Sequence, residues 1–306
     1  MLIALIGIVI GLTVLAVAAD QFVIGAVRLS VKAHLSPVIV GAVIVGFGTS
    51  LPEFVVSGLA SIQDGADLAV ANVIGSNSAN LALVLGVAII MTRMQVPSSV
   101  KRRELPIALV TAGLFALIIQ RPLSVTAGVL LAAVFAASLT LMILLAKNEH
   151  PDPLDTYGMS ANFTYLRLFG GLGATLAGAQ LLITSARFIA SELGLSEGLV
   201  GLTLVAIGTS LPELATTVAA ARRRQGALII GNLLGSNLFN ATAVGAIAVV
   251  FAPGVSITDT VSGVATVVML GISVAVGIAI VAFRTLPRIV GVLLIASYIA
   301  TVPLLF

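Results

Sequence analysis

The stretch Gly48–Glu53 reads GTSLPE, and the same string recurs at Gly208–Glu213 in the second half of this chain of 306 residues. In that register the segment 41–80 aligns on the segment 201–240 without a gap. A second set of identities in the same register pairs Asn72, Gly75, Ser76, Asn77 and Asn80 with Asn232, Gly235, Ser236, Asn237 and Asn240. Composition alone does not repeat a string that contains both Pro and Glu. We therefore interpret the match as an internal duplication.

The composition predicts a polytopic membrane protein. Apolar residues make up 59% of the chain and charged residues 9%, and the mean hydropathy is +1.21, far from the values of soluble domains. A helix that spans the hydrocarbon needs about 20 mostly apolar residues. The apolar runs predict an all-α fold with ten transmembrane helices, at residues 2–27, 36–61, 68–92, 105–120, 123–146, 163–190, 197–220, 226–251, 260–283 and 287–305.

The positions of the two motifs predict how the halves are arranged. The motifs lie in spans 2 and 7, five spans apart, so the two halves enter the membrane in opposite directions. Inverted repeats are typical of secondary transporters, whose sites lie near the bilayer midplane in discontinuous helices. We predict a first repeat at 1–147, a cytoplasmic linker at 148–162 and a second repeat at 163–306.

The basic residues predict the orientation in the cell membrane. In the ten-span arrangement, thirteen of the 15 Lys and Arg residues fall on the same side of the membrane, and only Arg121 and Arg187 fall on the other. Because cytoplasmic loops carry the excess of Lys and Arg, both termini are expected outside. The same short loops account for the pI near 9.7, so no nucleic-acid partner is expected, and no obligate protein partner is evident. The absence of Cys excludes disulfides and thiolate metal sites.

Glu53 and Glu213 are the functional candidates, because an ionisable residue deep in a membrane is costly and marks a site by default. The proline before each Glu cannot donate a backbone hydrogen bond, which frees carbonyls in the preceding turn. Backbone unwound at that depth is tolerated where it lines a polar cavity. The spacing of Ser50 and Ser210 to these glutamates is that of a capping box, so each carboxylate is expected to fold back toward the break in its helix.

The second cluster adds oxygen ligands. Ser76 and Asn80 are four residues apart, as are Ser236 and Asn240, so each pair shares one helical face. Carboxylates, hydroxyls, amide oxygens and freed carbonyls form the shell that hard cations such as Na⁺ and Ca²⁺ prefer, whereas softer metals call for imidazole or thiolate. Two buried carboxylates need compensating charge, from one divalent cation or from two or more monovalent ones. Competition for the same oxygens would couple the two ions in exchange.

The two motifs, GTSLPE followed by GSNxxN in each half, resemble the alpha repeats of the cation/calcium exchanger superfamily, and especially its prokaryotic sodium/calcium exchangers. The resemblance is specific over residues 41–81 and 201–241 and rests on span count elsewhere. It implies a 5+5 inverted arrangement in which helices 2, 3, 7 and 8 form the ion sites and helices 1 and 6 move across them. It implies no cofactor, only the transported ions.

The resemblance also implies roles for individual residues. Glu53 and Glu213 look like the central Ca²⁺ and Na⁺ ligands, and Thr49 and Thr209 would contribute backbone oxygens. The remaining implied ligands are the side chains of Ser50, Ser76, Ser210 and Ser236 and the carbonyls of Gly46 and Ala206. Potassium-dependent members and some prokaryotic members carry Asp at the position of Asn240, so a K⁺ or proton requirement at this position is disfavoured here. We expect Asp20, matched by the neutral Gln180, to be a helix-end charge rather than a ligand.

The sequence is compatible with several alternatives. Within the same superfamily, a proton/calcium exchanger or a potassium-dependent sodium/calcium exchanger would share the architecture. A cation channel is more remote, because carbonyl selectivity filters normally need a ring of copies and this motif occurs twice with opposite polarity. An enzyme is not expected: the membrane serines have no activating base, and no Walker lysine is present for ATP.

Overall fold

The computed structural model describes residues 1–63, 65–146, 163–193 and 208–305. These residues form an all-helical bundle with one short antiparallel pair of strands, β1 (Met94–Gln95) and β2 (Thr285–Leu286). The helices are α1 (Leu2–Ala33), α2 (Pro37–Thr49), α3 (Leu51–Ile62), α4 (Ala66–Met91), α5 (Ser98–Arg102), α6 (Glu104–Ile118), α7 (Val125–Ala146), α8 (Leu166–Glu192), α9 (Leu211–Arg222), α10 (Gly226–Val250), α11 (Thr260–Ala282) and α12 (Arg288–Leu305). The predicted linker at 148–162 lies outside the described residues.

Within these residues, six helices are long and apolar enough to cross a membrane: α1, α4, α7, α8, α10 and α11. The bent pair of α2 and α3 makes a seventh if it is counted as one span. The chain is thus an all-α polytopic membrane protein. Each predicted span overlaps a described helix, although α6 and the apolar part of α12 are short and part of span 7 is not described. The count of ten therefore stays a prediction.

The break predicted at the GTSLPE motif is present in the first copy. Helices α2 and α3 meet at Ser50 (φ −86°, ψ 9°) with a bend of 43°. The second residue of α3 is Pro52, which has no N–H to give to the carbonyl four residues earlier. In the second copy, α9 likewise begins after Ser210 (φ −84°, ψ 3°) with Pro212 as its second residue. Both Glu residues consequently lie in the first turn of a helix.

The predicted capping boxes are wrong. Neither Ser50 nor Ser210 makes a side-chain cap to its own helix. The hydroxyl of Ser50 donates instead to the carboxylate of Glu213, in the other half of the chain. A carboxylate is a stronger acceptor than a neutral group, since hydrogen bonds to an ionised partner are roughly twice as strong. Ser50 therefore connects the two halves rather than capping its own helix.

Helices α4 and α10 are the most deeply buried of the long helices and carry the second cluster of identities. Each contains one π-helical turn, at Asn80–Val84 and at Asn240–Val244. The two turns have the same length and begin at residues that the duplication pairs, so the duplication extends to the backbone geometry. Wide turns of this kind are frequent at functional sites. They place Asn80 and Asn240 at matching points of the two helices.

Helix α10 crosses α2 at backbone contact. A Cβ at Gly235 would fall on the backbone of Ala42, and one at Gly231 would fall on the carbonyl of Val38. In the other direction, a Cβ at Gly46 would lie 2.9 Å from the carbonyl oxygen of Asn232. Small residues at such crossings let membrane helices approach closely. The crossing holds the second cluster of one half against the broken helix of the other.

The expectation that Asp20 is a helix-end charge is wrong. Helix α1 continues to Ala33, so Asp20 lies within it. Its carboxylate accepts hydrogen bonds from Nε (2.7 Å) and from a terminal nitrogen (2.6 Å) of Arg223, just after the end of α9. Both side chains are partly exposed, so the ion pair contributes modestly to stability. The residues at the matching positions of the repeat, Gln180 and Gln63, are neutral.

Candidate ion site

The two motif glutamates meet in the interior. Glu53 is the third residue of α3 and Glu213 the third residue of α9, and both have no exposed surface. The two carboxylates are close enough to interact electrostatically. Each lies in the first turn of its helix, where the backbone N–H groups carry a partial positive charge that favours an anion. The structure thus brings the paired carboxylates together from opposite halves, as the duplication predicts.

The two carboxylates have unequal surroundings. Oε1 of Glu213 accepts a hydrogen bond of 2.8 Å from the hydroxyl of Ser50, while its Oε2 has no partner in the described chain. Neither carboxylate oxygen of Glu53 has a partner with full hydrogen-bond geometry there, although the hydroxyls of Ser76 and Thr209 are near enough to act as weak donors to it. Buried polar atoms are nearly always paired, and each exception needs an explanation. Three buried carboxylate oxygens in one place fit a cation as the missing partner.

Hydroxyls and a carbonyl extend the oxygen lining. The hydroxyls of Ser76 and Thr209, from opposite halves, are 3.4 Å apart. Ser236 donates 3.1 Å to the carbonyl of Gly46, which connects the crossing of α10 and α2 to the site. The Thr49 hydroxyl bonds within its own helix, to the carbonyl of Val45 at 3.0 Å. The other predicted residues are Ser210, whose buried hydroxyl has no partner in the described chain, and Ala206, which lies outside the described residues.

The amides of the second cluster also meet across the halves. Nδ2 of Asn80 donates to Oδ1 of Asn237 at 3.1 Å, and Nδ2 of Asn237 donates to the carbonyl of Asn77 at 3.1 Å. Among the described residues, Oδ1 of Asn80 and both side-chain polar atoms of Asn240 have no partner. All four side chains are buried. Amide oxygens are suitable ligands for hard cations, and the role of Asn80 and Asn240 as ligands stays a prediction.

Sequence reasoning missed one residue that touches several of these groups. Asn72, at 3% exposure, donates to the hydroxyl of Ser57 (2.9 Å) and to the backbone carbonyl of Glu53 (3.4 Å). Its Oδ1 accepts from the hydroxyl of Thr209 at 3.4 Å. The signal was present in the sequence, since Asn72 is one of the identities between the two copies of the repeat.

Comparison with known proteins identifies the family. The family described as sodium/calcium exchanger protein matches residues 3–144 and 163–306. The chain is 36% identical to CaxA of Alkalimonas amylolytica, a proposed antiporter, over 100% of this chain and 99% of that protein. It is 30% identical to the sodium/calcium exchanger MaX1 of Methanosarcina acetivorans, over 98% of this chain and 97% of that one.

Solved structures agree with this assignment. The sodium-calcium exchanger NCX_Mj, soaked with Na⁺ and Sr²⁺, superposes with a TM-score of 0.88 at 30% identity and covers 99% of both chains. The family consists of transporters, for which Na⁺ and Ca²⁺ are transported ions rather than resident cofactors. This chain belongs to the sodium/calcium exchanger family, and it is a membrane antiporter of the cation/Ca²⁺ type.

Proposed function

We propose that the chain exchanges Na⁺ for Ca²⁺ by alternating access at the site built on Glu53 and Glu213. The observation that carries the proposal is the pair of fully buried carboxylates, one from each half, with three oxygens that have no partner in the described chain. An uncompensated buried charge costs several kcal/mol. A cation bound between the two glutamates would supply the compensation.

Charge balance explains why two ions would exchange at one site. Two carboxylates are neutralised by one Ca²⁺ or by two or more Na⁺. Both ions prefer oxygen ligands, and Ca²⁺ takes 6–8 of them at distances of about 2.3–2.6 Å. The carboxylates, hydroxyls and amides of the site cannot serve both loads together. Loading of one ion would therefore expel the other, which is antiport.

The proposed architecture is two inverted five-helix repeats, at 1–147 and 163–306, joined by a cytoplasmic linker at 148–162. It is supported by the matched helix starts after Ser50 and Ser210 and by the matched π-helical turns of α4 and α10. Secondary transporters with inverted repeats place their site between the repeats and open it alternately to either side. The distribution of Lys and Arg supports a cell membrane location with both termini outside.

The test is Ca²⁺ uptake into proteoliposomes that hold the purified protein. An outward Na⁺ gradient is compared with K⁺ and proton gradients of equal size. Uptake driven by Na⁺ alone supports the proposal. Uptake driven only by protons, or only when K⁺ is present, assigns the chain to another branch of the same superfamily, and uptake without a counter-gradient indicates a channel.

Substitution of Asn240 by Asp tests whether the neutral amide sets the ion requirement. If Asn240 belongs to the ion site, an added carboxylate there calls for one more cation, so Ca²⁺ uptake is expected to become dependent on pH or on K⁺. If Ca²⁺ binding lowers the pKa of the new Asp by one unit, about 1.4 kcal/mol, the Ca²⁺ KM is expected to be about tenfold higher in acidic than in alkaline buffer. Asn240→Leu, similar in volume and without charge, is the control; the interpretation is wrong if both variants show the same pH profile.

A further inference from the structure

Hydrogen bonds of the site can be compared between the halves, because each residue of the duplicated segments has a counterpart in the other copy. Three bonds are informative. Asn72 donates to Ser57 at 2.9 Å, Ser50 donates to Glu213 at 2.8 Å, and Asn80 donates to Asn237 at 3.1 Å. The counterpart pairs are Asn232 with Thr217, Ser210 with Glu53, and Asn240 with Asn77.

None of the three counterpart bonds is made in the described chain. On the acceptor side of the Asn232 pair, the buried Oγ1 of Thr217 has no hydrogen-bond partner among the described residues. The same holds for both atoms of the other two pairs: Oγ of Ser210 and the carboxylate oxygens of Glu53, and Nδ2 of Asn240 and Oδ1 of Asn77. Oδ1 of Asn232, whose counterpart in Asn72 accepts from Thr209, also has no partner there. The same kinds of residue thus occupy both halves, but the bonds are formed in one set only. A buried polar atom without a partner is unfavourable. A second conformation in which the unpaired atoms form the counterpart bonds would remove this cost.

Asn72 makes more hydrogen bonds than the other two donors of the formed set. Through Ser57 and the carbonyl of Glu53 it ties α4 to the helix that carries Glu53. Through the hydroxyl of Thr209 it ties both to the other half. It therefore fixes where the Glu53 carboxylate stands relative to the hydroxyls around it, and its own hydrogen bonds go to a hydroxyl and a backbone carbonyl rather than to a carboxylate oxygen.

We propose that Asn72 and Asn232 are a matched pair of positioning residues for ion exchange, and that they act in alternate conformations. Asn72 holds Glu53 in the conformation described here. In the oppositely facing conformation Asn232 forms the counterpart bond with Thr217 and holds Glu213, while the bond of Asn72 to Ser57 opens. This inference rests on the proposed alternating access.

The exchange of bonds has a physical consequence for transport. A transporter must populate both conformations, which requires that their free energies stay close. If each conformation satisfies one copy of the hydrogen bonds and leaves the other unpaired, the two costs cancel. Removal of one copy would then shift the equilibrium toward the conformation that uses the other copy.

The experiment measures the Ca²⁺ KM from each face of the membrane, in vesicles of defined orientation, for Asn72→Leu and Asn232→Leu. The apparent Ca²⁺ affinity at one face decreases when a smaller fraction of the protein is in the conformation open to that face. Each variant removes the bond that the proposal assigns to one conformation only, Asn72 to Ser57 or Asn232 to Thr217, and the loss of that bond is expected to change the ratio of the two KM values about fivefold. The two variants should change it in opposite directions.

Thr217→Val removes only the hydroxyl and should shift the ratio in the same direction as Asn232→Leu. Thr216→Val makes the same chemical change one residue earlier, where the hydroxyl bonds only within its own helix, to the carbonyls of Pro212 (2.8 Å) and Glu213 (3.1 Å). Because these bonds are internal to α9, the variant should leave the ratio unchanged. The proposal is overturned if Asn72→Leu and Asn232→Leu change the ratio in the same direction, or raise KM equally on both faces. If the wild-type chain shows no Na⁺-driven uptake at all, it is the proposed function that fails.

Discussion

Replacement of Glu53 or Glu213 by Gln is expected to abolish Ca²⁺ uptake while the protein stays folded. Each substitution keeps the shape of the side chain and removes one of the two charges that would bind the cation. Loss of one partner from a buried charge pair costs about 3–5 kcal/mol, and 1.4 kcal/mol is tenfold in affinity. The Ca²⁺ affinity should therefore fall by roughly two to four orders of magnitude.

The measurement combines flux and thermal stability. Wild-type protein should gain Tm when Ca²⁺ is added, because a ligand that binds only the folded state stabilises it; either Gln variant should lose this gain. In ion-free buffer the variants should be at least as stable as the wild type, since the substitution removes a buried charge without a counter-ion. Glu192→Gln, an exposed side chain near the end of α8, is the matched control. A double variant with wild-type uptake would refute the site.

The sequence alone was sufficient to predict the elements that bear the chemistry. The internal repeat predicted that Glu53 and Glu213 approach each other, and the two buried carboxylates do interact. Proline chemistry predicted the break before α3 and α9. These inferences succeeded because they depend on residue identity and on covalent constraints that act locally.

Partners across the bundle could not be predicted in the same way. The bonds of Ser50 to Glu213 and of Arg223 to Asp20 join residues 163 and 203 positions apart, and nothing local selects them. The local sequence predicts that the Ser50 hydroxyl caps its own helix, but the carboxylate of Glu213 in the other half is the stronger acceptor. The unequal hydrogen bonding of the two halves could not be predicted either, since a duplicated sequence predicts the same bonds in both halves.

Substitution of Gly235 by Val is expected to destabilise the protein by about 3 kcal/mol, the upper end for an overpacked interior. A Cβ at this position would overlap the carbonyl oxygen of Ala42 and lie 2.6 Å from its carbonyl carbon. These are backbone atoms, so no side-chain rotation can make room and α10 must move away from α2. The Ser236 hydroxyl, one residue further, would then lose its 3.1 Å bond to the carbonyl of Gly46. Thermal unfolding in detergent and uptake of Ca²⁺ measure the two effects.

The control separates this contact from the general cost of a branched residue in a helix. Gly271 lies in α11, is exposed, and has no atom within 4 Å of the position that a Cβ would take. Gly271→Val should therefore change Tm little and leave uptake intact, whereas Gly235→Val should lower both. If the two variants lose the same amount of stability, helix propensity rather than the crossing explains the loss. If Gly235→Val keeps full stability and uptake, the close approach of α10 to α2 is not needed to hold the ion site.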